Sequence, residues 1–166
     1  MEYRIVRVGK DNYPMFDDML FWRKHGREKS KDEQAEQHNF STVYSTLENE
    51  NLHVFAAQLV DQLVGYISIV YIPKISRTNG DGHLFIDELW VNPAFRKQGI
   101  ASTLLAKADI LATERNPLGL RLYVNTTNDA GIALYRKFGY TDKYGTALFM
   151  EKELKQDSIL KIERRK

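Results

Sequence analysis

The sequence contains no cysteine. Disulfide bonds, thiolate metal sites and cysteine nucleophiles are therefore excluded for this chain. Its four histidines have no metal-ligand spacing, so we expect no metal site.

An excess of one charge and long apolar runs are also lacking. The formal net charge is +2, from 24 basic and 22 acidic residues, which gives no overall electrostatic reason to expect nucleic-acid binding. No segment has enough consecutive apolar residues to span a bilayer, and residues 1–10 alternate charged and apolar types. We therefore expect a cytoplasmic protein whose partners are neither nucleic acid nor membrane.

The composition that is present fits a globular fold. The 166 residues are 43% hydrophobic and 28% charged, which is enough to bury a core. This predicts a single domain over residues 1–154, followed by a charged C-terminal tail over residues 155–166. Basic residues also cluster between Arg23 and Lys31, a pattern typical of a solvated surface, with an anion-binding rim as the alternative.

Apolar periodicity and turn signals predict a mixed α/β fold. A strand–helix–strand connection near the end of the chain implies a parallel strand pair inside an otherwise antiparallel sheet, so the fold class is α/β (α+β). The predicted strands cover 3–8, 52–60, 63–72, 83–91, 118–124 and a last hairpin ending over 146–154. The predicted helices begin near Asp11 or Asn12, and cover about 31–47, 99–115 and 128–138.

The segment from Asp87 to Ser102 carries the chemistry. It reads as a strand, a basic turn and the start of a helix. Such a turn presents free backbone N–H groups at the positive end of the helix dipole, and Arg96 and Lys97 add charge, a combination that suits a pyrophosphate. Gly99 lets the backbone approach a phosphate closely. Neither GxGxxG nor GK[ST] is present, which disfavours a dinucleotide fold and a P-loop.

This segment resembles the coenzyme-A signature [QR]-x-x-G-x-[GA] of the GNAT superfamily of N-acetyltransferases, here Arg96-x-x-Gly99-x-Ala101. The preceding strand matches the pattern I-x-x-L-x-V with Ile86, Leu89 and Val91.

A second GNAT signature, N-x-x-A-x-x-L-Y followed by a glycine and an aromatic residue, is similar to Asn128 through Tyr140. Its Leu134, Tyr135 and Gly139 match, and Gly131 stands where the family has alanine, which loosens the helix by up to about 1 kcal/mol.

The resemblance implies a GNAT-type sheet of six to seven mostly antiparallel strands with helices on both faces, and acetyl-coenzyme A as co-substrate. The residues it implies for coenzyme-A binding are Leu89, Trp90, Val91, Arg96, Lys97, Gln98, Gly99, Ile100, Ala101, Ser102, Asn128 and Tyr135. By the same resemblance Tyr135 protonates the departing thiolate. In this family, edge strands near the C-terminus commonly pair, which makes a homodimer an expectation.

Acetylation of an amine needs a base, because a lysine-like amine of pKa about 10.4 is almost entirely protonated at pH 7. Asp87 and Glu88 are the candidate bases, and they point to opposite faces of the strand. We favour Glu88 for its position beside the acetyl-binding backbone, although a bulge of the kind the family has in this strand would reverse the faces.

The acceptor stays open at this point. The Asp87–Glu88 pair is similar to the arrangement in diamine and polyamine acetyltransferases, which favours a small cationic primary amine. The basic residues between Arg23 and Lys31 favour instead an acceptor that carries a carboxylate or phosphate. The alternatives are a protein or peptide N-acetyltransferase and a non-catalytic module that binds coenzyme A.

Overall fold

The computed structural model describes residues 2–35, 39–75 and 82–142. The described residues divide into two compact units, with the boundary between Thr127 and Asn128. The strands are β1 (Arg4–Arg7), β2 (Leu52–Leu59), β3 (Gln62–Pro73), β4 (Gly82–Val91) and β5 (Leu120–Leu122). The helices are α1 (Tyr13–His25), α2 (Lys31–Ala35), α3 (Ser41–Leu47), α4 (Ile100–Arg115) and α5 (Asp129–Lys137).

The five described strands form one sheet in the order β1-β2-β3-β4-β5. Pairing is antiparallel from β1 to β4 and parallel between β4 and β5, so the predicted parallel pair in an antiparallel sheet is confirmed. The predicted count of six to seven strands is not confirmed. The last predicted hairpin lies outside the described residues, as does the tail over 155–166, and the single domain over 1–154 stays a prediction.

Helix α4 covers one face of the sheet, against β2, β3 and β4. It begins after Gly99, whose φ of 83° is left-handed, and ends at Asn116, whose φ is 45°. Its buried residues recur at helical spacing, as the periodicity predicts. They are Ile100, Leu104, Leu105, Ala108 and Leu111.

Helix α1 contacts β3. Its apolar side buries Tyr13, Phe16 and Met19 in a cluster that includes Tyr66 of β3. Because adjacent strand residues point to opposite faces, the buried Ile67 next to Tyr66 points away from α1, to the face that α4 covers. Helices therefore pack on both faces of the sheet, as predicted.

The single helix predicted over residues 31–47 is wrong. The structure has α2 and α3 instead, and Asn39 and Phe40 are not helical. The Asn39 side chain accepts a hydrogen bond of 3.0 Å from the backbone N–H of Ser41, the first residue of α3. A short polar side chain that satisfies the backbone in this way competes with a continuous helix.

His53 on β2 is a buried titratable residue of the core. It is 5% exposed, and its Nε2 atom has no hydrogen-bond partner among the described residues. Burial, followed by the charges of Arg115 and Arg7, lowers the pKa of His53 below its usual value, with Glu114 opposing. The folded protein therefore keeps this imidazole neutral at pH values where an exposed histidine takes up a proton.

We expect the free energy of unfolding to decrease as the pH falls below about 6.5, by up to about 1.4 kcal/mol per pH unit. The sign follows because the unfolded chain protonates His53 at a higher pH than the folded protein does. His53→Leu should flatten this slope in urea unfolding measured between pH 7.5 and 5. His25→Leu, a change at an exposed histidine, is the matched control, and an unchanged slope in His53→Leu would contradict the assignment.

Candidate functional site

A β-bulge in β4 sets the direction of its side chains. Ser68 of β3 pairs with Glu88, whereas the next residue, Ile69, pairs with Ile86, so Asp87 is the additional residue of β4. One inserted residue shifts the alternation of the strand by one position. Asp87 is exposed at the bulge, and the residues after it exchange faces relative to the residues before it.

The bulge turns Glu88 toward the face that α1 covers. Trp90, two residues further on, points to the same side and packs against the α1 cluster. Tyr66 is the cross-strand partner of Trp90 and belongs to that cluster. The structure thus places Glu88, and not the exposed Asp87, among the side chains of this face.

Glu88 is held by two side chains, and we call the three residues the Glu88 cluster. Arg23 Nη1 lies 2.7 Å from Glu88 Oε1, and the Tyr66 hydroxyl donates to Oε2 at 2.5 Å. Arg23 also donates to the Tyr66 hydroxyl. Both carboxylate oxygens therefore have a donor, and Arg23 bridges the other two members.

Aromatic rings border the guanidinium of Arg23. Its Cζ atom lies 5.6 Å from the ring centroid of Tyr66 and 5.9 Å from that of Trp90. Trp22 of α1 is close as well, with 6.2 Å between its ring centroid and that of Trp90. Such distances are typical of cation–π contacts, so the site combines a carboxylate with aromatic faces.

Two members of the Glu88 cluster, Tyr66 and Arg23, have shifted pKa values. Burial, together with the hydrogen bond and charge of Glu88, raises the pKa of the Tyr66 hydroxyl well above its usual value. Burial lowers the pKa of Arg23, but hydrogen bonds and charge from Glu88 and Tyr66 outweigh it, and the net shift is upward. Tyr66 is therefore a neutral donor and Arg23 a cation at physiological pH.

Ser68 adds a polar atom next to the cluster. It is 8% exposed, and its Oγ atom has no hydrogen-bond partner within the described ranges. Ser68 lies directly across from Glu88, and cross-strand Cβ atoms are about 4.5–5.5 Å apart. A buried hydroxyl without a partner is costly, so Ser68 is ready to bind a polar group that approaches Glu88.

The backbone of β4 has an open edge in the same region. Of the described strands, β5 lies on this side and pairs only with Leu84–Ile86. The Asn92 N–H donates to the carbonyl of Val64 in β3. Because backbone groups alternate in direction along a strand, the N–H and C=O groups of Trp90 also point to β3. Those of Leu89 and Val91 point to the opposite edge.

One of these groups is already bonded within the chain. Arg96 Nε donates to the carbonyl of Val91 at 3.0 Å. This contact confirms the direction of the Val91 backbone and positions the turn that follows β4. The N–H and C=O of Leu89 and the N–H of Val91 are the groups left for an added strand-like ligand.

The turn between β4 and α4 has the backbone form of an anion site. Lys97 has a φ of 60° and Gly99 a φ of 83°, both in the left-handed region. No side chain caps α4 at Gly99, so the first N–H groups of the helix, at Ile100 to Ser102, point to the exposed turn. The predicted residues Arg96, Lys97, Gln98, Gly99, Ile100, Ala101 and Ser102 are all brought together here.

The basic segment near α1 is largely paired with carboxylates. Arg27 makes two 2.8 Å contacts with the carboxylate of Glu33. Lys29 lies 2.5 Å from Asp17 and 2.8 Å from Asp18. This internal pairing weakens the expectation that the segment attracts a carboxylate or phosphate of the acceptor.

Asn128 and Tyr135 belong to the second unit. Asn128 caps α5, as predicted, by accepting a hydrogen bond of 3.0 Å from the N–H of Gly131. A Cβ atom at Gly131 would lie 2.5 Å from Asn128 Nδ2, so glycine fits this cap where alanine would displace it. Tyr135 packs on Tyr140 with 5.8 Å between ring centroids, and burial raises the pKa of its hydroxyl.

Sequence reasoning missed the role of three residues. Tyr66 and Ser68 lie in an apolar run that reads only as a buried strand, and Arg23 reads only as one member of a basic segment. A signal for Tyr66 existed, because a buried tyrosine hydroxyl usually needs a hydrogen-bond partner. Naming that partner required the strand register.

The described residues contain neither a metal-binding cluster nor a membrane-spanning helix. No three histidine, aspartate or glutamate side chains in the ranges 2–35, 39–75 and 82–142 gather to hold a metal ion. No described helix combines the length and hydropathy that crossing a membrane requires.

A mixed sheet with one parallel pair, an open edge on β4 and a glycine-containing turn before α4 agree with the fold that the GNAT resemblance implies. The sequence profile of the acetyltransferase (GNAT) family matches residues 16–140. This chain therefore belongs to the GNAT acetyltransferase family.

Known proteins resemble the chain in sequence and in fold. Acetyltransferase Atu2258 of Agrobacterium fabrum is 38% identical over 60 residues, which cover 36% of this chain and 42% of that relative's length. An aminoglycoside acetyltransferase, meta-AAC0020 from an uncultured soil metagenomic sample, in complex with sisomicin, superposes with a TM-score of 0.72 at 17% identity, covering 92% of this chain and 97% of that chain.

A ribosomal-protein-alanine N-acetyltransferase from Brucella melitensis biovar Abortus 2308 has a TM-score of 0.64 at 17% identity, covering 90% of this chain and 100% of that chain. At these identities the structural likenesses show the fold alone.

Proposed function

We propose that this protein transfers the acetyl group of acetyl-coenzyme A to a primary amine of a small cationic molecule. The observation that carries the proposal is the position of Glu88, which lies among aromatic rings on the α1 face, one residue before the open backbone of Leu89. Polyamines and aminoglycosides are the acceptor classes that suit such a site. Aminoglycosides are included in the test below because one fold relative is an aminoglycoside acetyltransferase.

The chain has the residues to hold the co-substrate. The N–H and C=O groups of Leu89 and the N–H group of Val91 suit the amides of the pantetheine arm, and the turn from Arg96 to Ser102 suits the pyrophosphate. Acetyl-coenzyme A supplies an acetyl group activated as a thioester. The backbone N–H groups of this β4 edge would stabilise negative charge on the thioester carbonyl oxygen during transfer.

Glu88 would act as the base that accepts a proton from the acceptor amine. An ammonium of pKa about 10.4 is neutral only about once in 2500 molecules at pH 7, which costs roughly 4.6 kcal/mol. The carboxylate binds the ammonium and takes one proton, directly or through water, as the nitrogen forms its bond to the carbonyl carbon. The carbon–sulfur bond breaks, and the thiolate leaves and takes up a proton.

We assign that second proton to Tyr135. Burial raises the pKa of its hydroxyl, so the phenol is fully protonated at neutral pH. A thiolate with a pKa near about 8.5 is a weaker base than the phenolate of tyrosine, so full transfer is uphill by at least about 2 kcal/mol. Tyr135 therefore acts first as a hydrogen-bond donor that stabilises the departing thiolate.

Release of coenzyme A from acetyl-coenzyme A, measured against a panel of polyamines, aminoglycosides, amino acids and lysine peptides, tests the proposal. Turnover with a small cationic amine, together with a product heavier by one acetyl group in mass spectrometry, is the expected result. Turnover confined to peptides would favour the protein N-acetyltransferase alternative. Acetyl-coenzyme A that raises the melting temperature without any turnover would favour a non-catalytic module.

Tyr135→Phe should lower kcat by roughly 10- to 100-fold, at or below the lower limit of the range for general acid–base groups, because Tyr135 acts first as a hydrogen-bond donor. The substitution removes only the hydroxyl and leaves the ring contact with Tyr140. The dissociation constant for acetyl-coenzyme A, measured by calorimetry, should stay within about twofold, since a neutral hydrogen bond to the bound ground state contributes little. A kcat equal to that of the unsubstituted protein would remove Tyr135 from the mechanism.

A further inference from the structure

Arg23 occupies a site that has the chemistry of a cation-binding site. Its guanidinium touches a carboxylate oxygen of Glu88 at 2.7 Å and lies within 6 Å of the ring centroids of Tyr66 and Trp90. A carboxylate bordered by aromatic faces recognises organic cations in general, an ammonium as well as a guanidinium. The cation that fills the site in this structure is part of the protein itself.

The ion pair between Arg23 and Glu88 is weak enough to be broken by a competing cation. The side chains of Arg23 and Glu88 are 36% and 42% exposed, so water screens their attraction. Arg23 lies in the last turn of α1, three residues before Gly26, which ends the helix with a φ of 69°. A long, half-exposed side chain at a helix end can leave its partner without any change in the backbone.

Arg23 also leaves part of the site unused. Its Nη1 atom makes both contacts, to Glu88 and to Tyr66, and Ser68 Oγ has no partner among the described residues. An ammonium carries three N–H donors on one atom. Such a group can donate to Glu88, to the Tyr66 hydroxyl and to Ser68, which a planar guanidinium held by one nitrogen does not do here.

We propose that Glu88, Tyr66, Trp90 and Ser68 form the binding site for the ammonium group of the acceptor, and that Arg23 fills it in the free protein as an internal competitor. This inference rests on the proposed function, because it names the acceptor as an organic cation. It gives Arg23 a role opposite to that of a substrate-binding residue: the acceptor displaces Arg23 in order to bind. The competitor excludes neutral molecules and weak cations from the site.

Binding of 1,4-diaminobutane without acetyl-coenzyme A tests this inference, with tryptophan fluorescence as the readout because Trp22 and Trp90 border the site. Arg23→Gln should bind the diamine about fivefold more tightly than the unsubstituted protein, which is the factor that an exposed ion pair supplies. Arg27→Gln, which removes a neighbouring arginine paired with Glu33, is the matched control and should bind as before. Equal or weaker binding by Arg23→Gln would overturn the inference.

Two further measurements keep the outcome clear. The melting temperature shows whether Arg23→Gln folds. If it does not, Arg23→Met, which retains the aliphatic stem, replaces it. The same fivefold gain in affinity for the diamine is expected. Release of coenzyme A is measured separately on each protein. If Arg23→Gln binds the diamine more tightly but neither protein acetylates any amine of the panel, the cation site is supported and the proposed acetyl transfer is contradicted, so the two proposals fail independently.

Discussion

Glu88→Gln is expected to lower kcat for amine acetylation by about 10²- to 10⁴-fold, the range that positioned general acid–base groups supply. Glutamine keeps the shape and the acceptor oxygen of the side chain but has no carboxylate to take a proton. The loss should shrink as the pH rises, because more of the acceptor amine is then neutral before it binds. Initial rates from pH 7 to 10 measure both effects.

Asp87→Asn provides the matched comparison. Asp87 is the adjacent carboxylate, and it is exposed at the bulge, although its charge contributes to raising the pKa of Tyr66. Its kcat should stay within about threefold, a margin set by the modest energies of exposed charges. If Asp87→Asn lost the activity and Glu88→Gln kept it, the assignment of the base to the α1 face would be wrong.

Gly99→Val is expected to weaken acetyl-coenzyme A binding by at least about tenfold. A β-branched residue is strained at a φ of 83°, at a cost of order 1–3 kcal/mol. Relief of that strain would turn the N–H groups of the turn away from a bound phosphate, and the side chain would block its approach. Calorimetric titration with acetyl-coenzyme A gives the dissociation constant.

Gly26→Val separates strain from binding. Gly26 has a φ of 69° and nothing within 4 Å of an added Cβ atom, so valine there imposes similar strain at the end of α1. Both variants should have lower melting temperatures, but only Gly99→Val should lose affinity for acetyl-coenzyme A. An equal loss in both variants would show that the effect is one of stability and not of the turn.

The sequence predicts the elements whose signals are local. The periodicity of α4, the turn at Gly99 and the cap at Asn128 depend on neighbouring residues, and the structure confirms each of them. The interruption between α2 and α3 depends on a competing side-chain hydrogen bond at Asn39, which apolar periodicity does not reveal. Helix spacing alone therefore predicted one helix where there are two.

The same distinction between local and non-local signals applies to the candidate site. Most of the proposed cofactor residues lie in one segment, residues 89–102, so a motif locates them, and a second motif locates Asn128 and Tyr135. The proposed acceptor side joins Arg23, Tyr66 and Glu88, which lie far apart in sequence and meet only through packing and strand register. The face of Glu88 depended on a bulge that pairs Ser68 with Glu88 and omits Asp87, and no residue pattern specified it in advance.

Residue-resolved amide hydrogen exchange with and without acetyl-coenzyme A tests the central claim most directly. In the described sheet the N–H of Trp90 faces β3, whereas those of Leu89 and Val91 face the open edge. Acetyl-coenzyme A should slow amide exchange at Leu89, at Val91 and at the first amides of α4, and the exchange rate at Trp90 should not change. Protection that appears elsewhere, with Leu89 and Val91 unchanged, would contradict the account of β4 as the cofactor-binding strand.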